Sequence, residues 1–484
     1  MAEQGSSFWW RMAAAVAAFV IQLPALGQVI IGANFTGSSV GISGYIPPDT
    51  MGAIGPNAFV EFINGRYRVY SRSGAVLAST TLNAFWTNAG VSSSSSFDPR
   101  VLYDAGSGRW FAAAADNPGT ASSRFLLAVS NSSDPTAGWK AFSIAADPLS
   151  TRWADFPTLG VNGSGVYLAA NMFKFDNTSP LTTVIAVDKA SLVSGTLTNV
   201  SFTNLDPNTT GFSIQPVHDL DGGGTPEYLY SDYNTPAGTF KQSTITGSGA
   251  GNTLNTTDHL ISVAAFNGPP LGVQPGGPNN VDTGDTRFSS SVVKVNGKIW
   301  GVQSVTANGR AALRWFRINA ATDAVEETGI IGDPNHDYYY GSIAVNTSGT
   351  VVIGYSRSGA SEFISSYASV GSYNGTTTTF GSPLLLKSGT ASYQILDGSG
   401  SNRWGDYSAT TIDPLDPTHF WTIQEWASGS SSWSTQITEL ITGPGAVPVS
   451  AFQSSLIGAV IAGWWLRAKR SGETRRRKRQ CGSA

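Results

Sequence analysis

Cysteine, charge and helical patterning are all scarce in this chain. Cys481 is the only cysteine among 484 residues, so the part of the chain before it forms no internal disulfide. Only 13% of the residues are charged, and no amphipathic helix pattern separates the strand-like segments, which excludes an alternating α/β architecture. The four histidines lack the spacing of a zinc site, and no phosphate-loop lysine motif occurs.

Glycine, proline and short apolar runs are abundant instead. The chain has 55 glycines and 24 prolines, and these residues bound β-rich runs such as 59–63, 125–129 and 351–355. About 400 residues between the two ends bury enough apolar area to fold without disulfides. The composition therefore predicts an all-β domain.

One pattern recurs seven times: a polar or turn-forming residue, a β-rich run, a short turn and a second apolar run. The copies begin at Asp49, Asp98, Asp155, Ser213, Arg287, Tyr340 and Asp406. Copies spaced by roughly 50 to 70 residues are typical of a radial array of four-stranded sheets. We predict a β-propeller with seven blades; six blades stay open, because the fourth copy is the weakest.

The two ends of the chain indicate export. Arg11 and the apolar run after it predict a signal peptide over 1–27, with a retained N-terminal anchor as the alternative. The further predicted segments are an N-terminal linker at 28–44, the propeller at 45–442, a Pro/Gly linker at 443–448, a transmembrane or sorting helix at 449–466 and a basic cytoplasmic tail at 467–484. The apolar helix next to the tail favours a membrane over nucleic acid as its partner.

The charge between these ends is acidic. Eight of the 29 Lys and Arg lie in 467–479 and one is Arg11, while two of the 32 Asp and Glu, Glu3 and Glu473, lie outside 28–443. The middle of the chain therefore keeps 20 cations against 30 anions. This balance disfavours DNA or another polyanion and favours a neutral ligand or a cation.

The most informative motif runs from Arg403 through Asp406 and Tyr407, with Glu425 at the end of the following strand. Such a set offers anion recognition, proton transfer and nucleophilic attack around one sugar ring, and paired carboxylates are what glycoside hydrolysis requires. The alternative is an ion pair between Arg403 and Asp406 that ties neighbouring blades together.

Acidic residues and arginines also occur at the starts of the other repeats. In a propeller these starts meet at one central funnel, where the residues would perturb each other's pKa values. The candidate catalytic residues are Asp49, Asp155, Asp406, Tyr407 and Glu425. The candidate ligand-binding residues are Asp98, Arg100, Asp285, Arg287 and Arg403. Hydrogen bonding between blades is the other role open to them.

Oxygen donors alternate with glycines in one further segment. Asp219, Asp221 and Glu227 follow the spacing of a short calcium loop in part, which suggests a structural Ca²⁺ ion, and a plain turn is the alternative. No other cofactor is predicted.

Three resemblances extend this interpretation. The segments 47–57, 98–104, 130–139 and 403–408 resemble a largely uncharacterised group of exported bacterial propellers. The segment Ser133-Asp134-Pro-Thr-Ala-Gly138-Trp139 is similar to the Asp-box turn of sialidase-type propellers, where the box is a folding element, and Arg100, Arg287 and Arg403 resemble the arginines which that family places on a carboxylate. The tail resembles PEP-CTERM sorting signals, which implies the outer face of a bacterial membrane, or secretion after tail processing.

These observations predict an exported cell-envelope propeller that binds a glycan or envelope polymer at its funnel. The alternative is a glycoside hydrolase or lyase, with Asp49, Asp155 or Asp406 as base or nucleophile and Glu425 as acid. One propeller fold hosts many activities, so the architecture does not choose between them.

Overall fold

The computed structural model describes residues 29–234, 237–247, 249–276 and 281–443. The described residues are nearly all β, with about 55% of them in strands and 6% in helices. The predicted signal peptide, the apolar segment 449–466 and the basic tail lie outside the described residues. Among the helices of the described ranges, none has the length and apolarity needed to span a membrane.

The strands pair in consecutive antiparallel units along the chain. The first three units are β2 (Gly52–Ile54), β3 (Ala58–Ile63), β4 (Arg66–Ser71) and β5 (Val76–Thr81); β6 (Phe97–Asp104), β7 (Arg109–Asp116), β8 (Arg124–Ser130) and β9 (Trp139–Ala145); and β10 (Arg152–Val161), β11 (Gly165–Lys174), β12 (Leu181–Asp188) and β13 (Asn199–Leu205). Within each unit the strands follow one another in chain order, as hairpin-connected strands do.

The pattern continues in the second half of the chain. The units are β14 (Gln215–Asp219), β15 (Glu227–Asn234), β16 (Thr239–Thr246) and β17 (Thr253–Ser262); β18 (Val292–Val295), β19 (Lys298–Ala307), β20 (Arg310–Asn319) and β21 (Val325–Ile331); β22 (His336–Val345), β23 (Thr350–Gly359) and β24 (Glu362–Tyr373) with β25 (Thr378–Phe380) and β26 (Leu384–Lys387); and β27 (Ala409–Ile412), β28 (His419–Gly429) and β29 (Ser432–Ile441) with β1 (Ile30–Ser39). Each repeat predicted from the sequence thus supplies the first two strands of one unit.

Short helices occupy a few connections. They are α1 (Val40–Ser43), α2 (Leu82–Asn88), α3 (Lys189–Val193), α4 (Pro207–Thr210) and a 3₁₀ turn at Gly249–Gly251. The side chain of Thr81 caps α2 by accepting a hydrogen bond from the backbone N–H of Ala84.

The first strands of the units form a closed ring. Going round, β2 contacts β6, and the contacts continue through β10, β14, β18, β22 and β27 back to β2. Where first strands pair directly, as β10 with β14 and β14 with β18, they run parallel. The starts of the first strands therefore meet at one mouth of the ring, which we call the funnel. A ring of antiparallel sheets around a central channel is a β-propeller.

The ring is closed by pairing between the two ends of the domain. β1 pairs antiparallel with β29 and so completes the last unit with a strand from the start of the chain. The prediction of a linker over 28–44 is therefore wrong for residues 30–39. β1 is an outermost strand and is only partly buried, so it tolerates a polar sequence. The sequence therefore lacks the apolar pattern by which a strand is recognised.

The core lies between successive units. Strand β7 is buried over nearly its whole length, and its Phe111 packs with Leu127 of β8 and with Leu159 and Leu168 of the next unit. Because both faces of each inner sheet are covered, these strands read as continuous apolar runs and not as alternating patterns.

Candidate functional site

Just before several first strands, or within their first five residues, one residue has a left-handed backbone; we call these the entry residues. Asp49, Asp98, Phe156, Ser213 and Tyr340 have φ values of 48°, 53°, 53°, 53° and 50°. This conformation is costly for residues other than glycine and persists only where the surroundings hold it. Asp98, Phe156 and Tyr340 each lie at a register shift of their strand, so the conformation belongs to these β-bulges and not to one residue type.

Asparagines from the preceding unit hold two of these entries in place. Asn64 Oδ1 accepts a hydrogen bond from the backbone N–H of Asp98 at 2.9 Å. Asn171 Oδ1 accepts from the N–H of Ser213 at 2.8 Å, and its Nδ2 donates to Ser213 Oγ at 2.9 Å. Neighbouring units are therefore joined at the funnel by side chains that satisfy buried backbone groups.

Asp49 joins the first repeat to the last. Its carboxyl is buried, with the residue 2% exposed. Oδ1 accepts from the backbone N–H of Asp406 at 3.1 Å, and Oδ2 accepts from Asn64 Nδ2 at 2.5 Å. These contacts fix the loop that carries Asp406.

Asp98 extends the network of hydrogen bonds that surrounds Asp49. Its Oδ2 accepts from the backbone N–H of Phe156 and from the hydroxyl of Tyr407, each at 3.1 Å. Arg100 stacks on the Tyr407 ring, with its guanidinium carbon 3.5 Å from the ring centroid, and its Nε donates to the carbonyl of Pro157 at 2.7 Å. The Tyr407 hydroxyl is thus engaged with a buried carboxyl.

Burial and repulsion raise the pKa values of these two acids. The pKa of Asp49 is raised well above its usual value by burial, then by the charges of Asp406 and Asp98. Burial likewise raises the pKa of Asp98, while a hydrogen bond between the two carboxyls lowers it and raises that of Asp49. The two carboxyls therefore titrate as a coupled pair, because like charges cannot both ionise cheaply.

A pocket opens above this network at the funnel. Its volume is about 250 Å³. The lining residues are Phe156, Asp282, Gly284, Asp285, Arg287, Ser289, Ser304, Tyr340, Arg403 and Asp406. Polar and charged groups from three different repeats, with Phe156 from a fourth, therefore converge on one concave surface.

An arginine fork forms one wall of the pocket. Arg403 donates from Nη1 and Nη2 to the two oxygens of Asp406, at 2.5 and 2.9 Å. The same guanidinium reaches Asp282 Oδ2 at 3.3 Å, and Tyr340 donates its hydroxyl to Asp282 Oδ1 at 3.1 Å. The ion pair expected between Arg403 and Asp406 is present, and it lies at the pocket surface.

Arg287 forms the opposite wall. It pairs with Asp285 at 2.5 Å, and its guanidinium carbon lies 4.5 Å from the ring centroid of Phe156. Asp155, next to Phe156, is half-buried. Burial and the charge of Asp98 raise the pKa of Asp155 to about 7, although Arg287 lowers it. A carboxyl that titrates near neutrality beside a pocket can exchange protons with a ligand.

The predicted residues thus separate into two layers. Among the described residues, the pocket lining includes Asp285, Arg287, Arg403 and Asp406 from the predicted set. The residues Asp49, Asp98, Arg100, Tyr407 and Glu425 are buried and are not part of that lining. Asp155 is half-buried and also lies outside the lining, next to its member Phe156. Asp282 was missed by the sequence reasoning, although its position three residues before Asp285 was a usable signal.

Glu425 lies beneath the pocket and supports one of its loops. It is 3% exposed, and its Oε2 accepts the backbone N–H of Gly405 at 3.0 Å. Burial raises its pKa well above the usual value. It supports the loop between Arg403 and Asp406.

The residues of the predicted calcium loop each have protein partners. Asp219 pairs with Lys294 at 2.8 Å, and Asp221 accepts backbone N–H groups from Asn296 and Gly297 at 2.6 and 2.8 Å. Glu227 is buried and accepts from the backbone N–H of Val217 at 2.8 Å. Within the described ranges, the acidic group with metal-like geometry is a different one, Asp413 with His419 and Glu439.

The group of Asp413, His419 and Glu439 already contacts a positively charged side chain, that of Arg72. Arg72 donates from Nη1 and Nη2 to both oxygens of Asp413, and His419 Nδ1 lies 2.8 Å from Glu439 Oε1. An arginine at this position opposes binding of a metal cation by charge repulsion.

The other end of the ring holds a larger and more apolar cavity. Its volume is about 740 Å³, and its wall includes Ile54, Val101, Val293, Ile343 and Thr410 of the first strands. Because six of the seven first strands contribute to its wall, it is the central channel of the ring.

The Asp-box-like segment forms a hairpin between β8 and β9. Asp134 Oδ1 accepts from the backbone N–H of Thr136 at 2.8 Å, and Trp139 Nε1 donates to the carbonyl of Pro135 at 2.9 Å. The segment also contacts the first unit, since Tyr67 of β4 donates its hydroxyl to the carbonyl of Pro135 at 2.9 Å. None of its residues lines the pocket, as expected of a folding element.

Comparisons with known proteins identify no family. No family model matches the chain, and no curated protein matches it. Among solved structures, a Dyadobacter fermentans protein of unknown function matches at 9% identity with a TM-score of 0.40, covering 72% of this chain and 95% of that one. Trypanosoma rangeli sialidase matches at 10% identity with a TM-score of 0.37, and the match covers 91% of this chain and 63% of that one. The hemagglutinin-neuraminidase of parainfluenza virus 5 matches at 10% identity with a TM-score of 0.37, covering 70% and 91%.

Proposed function

We propose that this protein is an exported cell-envelope β-propeller that binds a glycan or envelope polymer at its funnel. The observation that carries the proposal is the pocket of about 250 Å³ in which Arg287, Arg403, Asp285, Asp406 and Asp282 converge. Fixed donors and acceptors in a concave site are what recognition of a hydroxyl-rich ligand requires.

The pairing of charges favours a neutral ligand. Arg403 is already matched by Asp406, and Arg287 by Asp285, so neither guanidinium offers an uncompensated positive charge. Each pair still presents N–H donors beside carboxylate acceptors, and sugar hydroxyls use both. The pocket is smaller than the ~300–1,000 Å³ typical of drug-sized ligands, which suits a single sugar residue.

The proposal includes the architecture and the location. Seven blades are supported over six by the closed contact cycle of β2, β6, β10, β14, β18, β22 and β27. Export is supported by the signal-peptide pattern at 1–27, and membrane attachment or sorting by the segment 449–466. The acidic balance of the central region supports a partner other than nucleic acid.

Glycoside hydrolysis is the second candidate function, favoured by Asp155. Its pKa of about 7 suits a general acid or base at neutral pH. Asp406 at the pocket surface is then the nucleophile or base. Tyr407 and Glu425 act as positioning residues, because their polar groups contact Asp98 and the backbone of Gly405.

One pair of assays separates binding from hydrolysis. The purified protein is tested on a glycan array and against a panel of 4-nitrophenyl glycosides, together with Asp406→Asn and the control Asp416→Asn in an exposed loop at the other end of β27. We expect saturable binding to neutral glycans that Asp406→Asn weakens about tenfold or more, which is about 1.4 kcal/mol, with the control unchanged.

The other outcomes are equally informative. Turnover that Asp406→Asn abolishes, with an unchanged melting temperature, would establish the hydrolase. Absence of both binding and turnover in the wild-type protein contradicts a glycan site at the funnel.

A further inference from the structure

A row of aromatic side chains lies beside the pocket. The rings of Phe97 and Trp153 have centroids 6.3 Å apart, Trp153 and Phe173 are 5.9 Å apart, and Phe173 and Phe212 are 6.1 Å apart. All four side chains are half-buried. We call these four residues the aromatic row.

The row lies at the same mouth of the ring as the pocket. Phe97 directly precedes the entry residue Asp98, and Phe212 directly precedes the entry residue Ser213. Trp153 is the second residue of β10, and its register partner near the end of β11 is Phe173, so the two side chains share one face of the sheet. The row therefore crosses the funnel-side edge of the third unit.

Arg287 links the row to the pocket. Its guanidinium carbon lies 5.9 Å from the ring centroid of Phe212 and 4.5 Å from that of Phe156, and both Arg287 and Phe156 line the pocket. Ring contacts therefore run without a break from Phe97 to the pocket wall.

The arrangement suits a ligand that stacks on flat rings. Trp153 Nε1 donates to Asn177 Oδ1 at 3.2 Å, which fixes the indole before any ligand arrives. No member of the row is charged, so the row offers apolar contact without attracting ions. The C–H faces of a sugar ring provide matching apolar surface, and the hydroxyls at its edge stay in water.

We infer that the ligand is an extended neutral polysaccharide, with one sugar residue in the pocket and the following residues stacked along Phe97, Trp153, Phe173 and Phe212. This inference rests on the proposed function and specifies its ligand as a chain of several sugars. Contacts along the row add affinity for long chains that a monosaccharide does not gain.

Calorimetry with the full-length protein tests the inference. The probes are cellohexaose, xylohexaose and chitohexaose, each compared with its own monosaccharide. The variants are Trp153→Leu and Phe173→Leu, which keep an apolar side chain but remove the flat ring, with Asp406→Asn for the pocket and Leu415→Ala as a control. Leu415 is exposed and lies in the loop between β27 and β28, at the other mouth of the ring.

We expect at least one hexasaccharide to bind more tightly than its monosaccharide. Each row variant then weakens hexasaccharide binding about tenfold and leaves monosaccharide binding unchanged, whereas Asp406→Asn weakens both. The control changes neither, and melting temperatures show that all variants are folded.

The inference is overturned if the row variants bind the hexasaccharide as the wild type does, while the pocket variant still loses the monosaccharide. That result leaves the funnel site intact. If the row variants lose hexasaccharide binding and Asp406→Asn does not, the row stands and the pocket proposal fails. No binding of any probe by the wild type overturns both.

Discussion

The pKa of each carboxyl at the funnel depends on how deeply that carboxyl is buried. Asp49, Asp98 and Glu425 lie beneath the pocket and have raised pKa values because burial disfavours their charged forms. Asp155 lies nearer the surface, and the positive charge of Arg287 limits the rise of its pKa to about 7. Burial and neighbouring charges thus set the pKa of each acid, and the residue type alone does not.

Replacing Asp155 by Asn should make stability depend less on pH. The folded protein binds a proton on Asp155 up to about pH 7, while the unfolded chain releases it near pH 4, so the wild type loses stability as the pH rises through this window. Asp155→Asn should therefore gain in melting temperature relative to the wild type between pH 4 and 7. Differential scanning calorimetry at both pH values measures this.

A melting-temperature difference that stays constant over this range would show that Asp155 is ionised in the folded protein. Titrating groups distant from Asp155 are the same in both proteins and cancel in the comparison. His218, whose pKa is lowered to about 4 by burial, is present in both proteins.

At the scale of elements, β1 closes the ring through a buried acid. Glu61 of β3 is fully buried and accepts from Ser38 N–H at 3.0 Å and Ser38 Oγ at 2.6 Å, both in β1. It also accepts from Thr435 of β29 at 2.5 Å and from Tyr70 of β4 at 2.7 Å. Strands from both ends of the chain therefore meet on one carboxylate.

The variant Glu61→Gln should open this junction. An amide replaces one accepting oxygen by a donor, which leaves buried hydroxyl and N–H groups without an acceptor, at a cost of about 1–3 kcal/mol. Urea unfolding monitored by fluorescence should show this loss.

Glu326→Gln is the control, because Glu326 is exposed and pairs with Lys298 at the protein surface, where ion pairs contribute about 0–1 kcal/mol. Its other partner, the buried Arg317, keeps its ion pair with Glu327. Equal stability losses in the two variants would contradict a closing role for Glu61.

In the whole molecule, the ring brings distant repeats together, and the region between the chain ends is acidic overall. The region between the chain ends has 20 cations and 30 anions, and the arginines of the pocket are paired with aspartates. Long-range attraction therefore adds little to the binding of a neutral ligand and opposes that of an anionic one.

Binding of a neutral oligosaccharide should be nearly independent of salt. Between 50 and 500 mM NaCl we expect Kd to change by less than about twofold, since screening acts only on net charges. Calorimetric titration of the tightest neutral oligosaccharide measures this, with an acidic oligosaccharide as comparison. A tenfold loss of affinity for the neutral ligand would indicate ionic recognition.

Turn chemistry and apolar runs determined much of this protein by themselves. They specify an all-β chain, the first two strands of each repeat, and the entry positions Asp49, Asp98, Asp155 and Asp406, because these signals act between residues close in sequence.

Only the tertiary structure decided which of these residues share a surface. It places Arg403 and Asp406 against Asp282 and Tyr340, it buries Tyr407 and Glu425, and it recruits β1 to the last unit. Ring closure depends on contacts between residues hundreds of positions apart, and no local pattern encodes those distances.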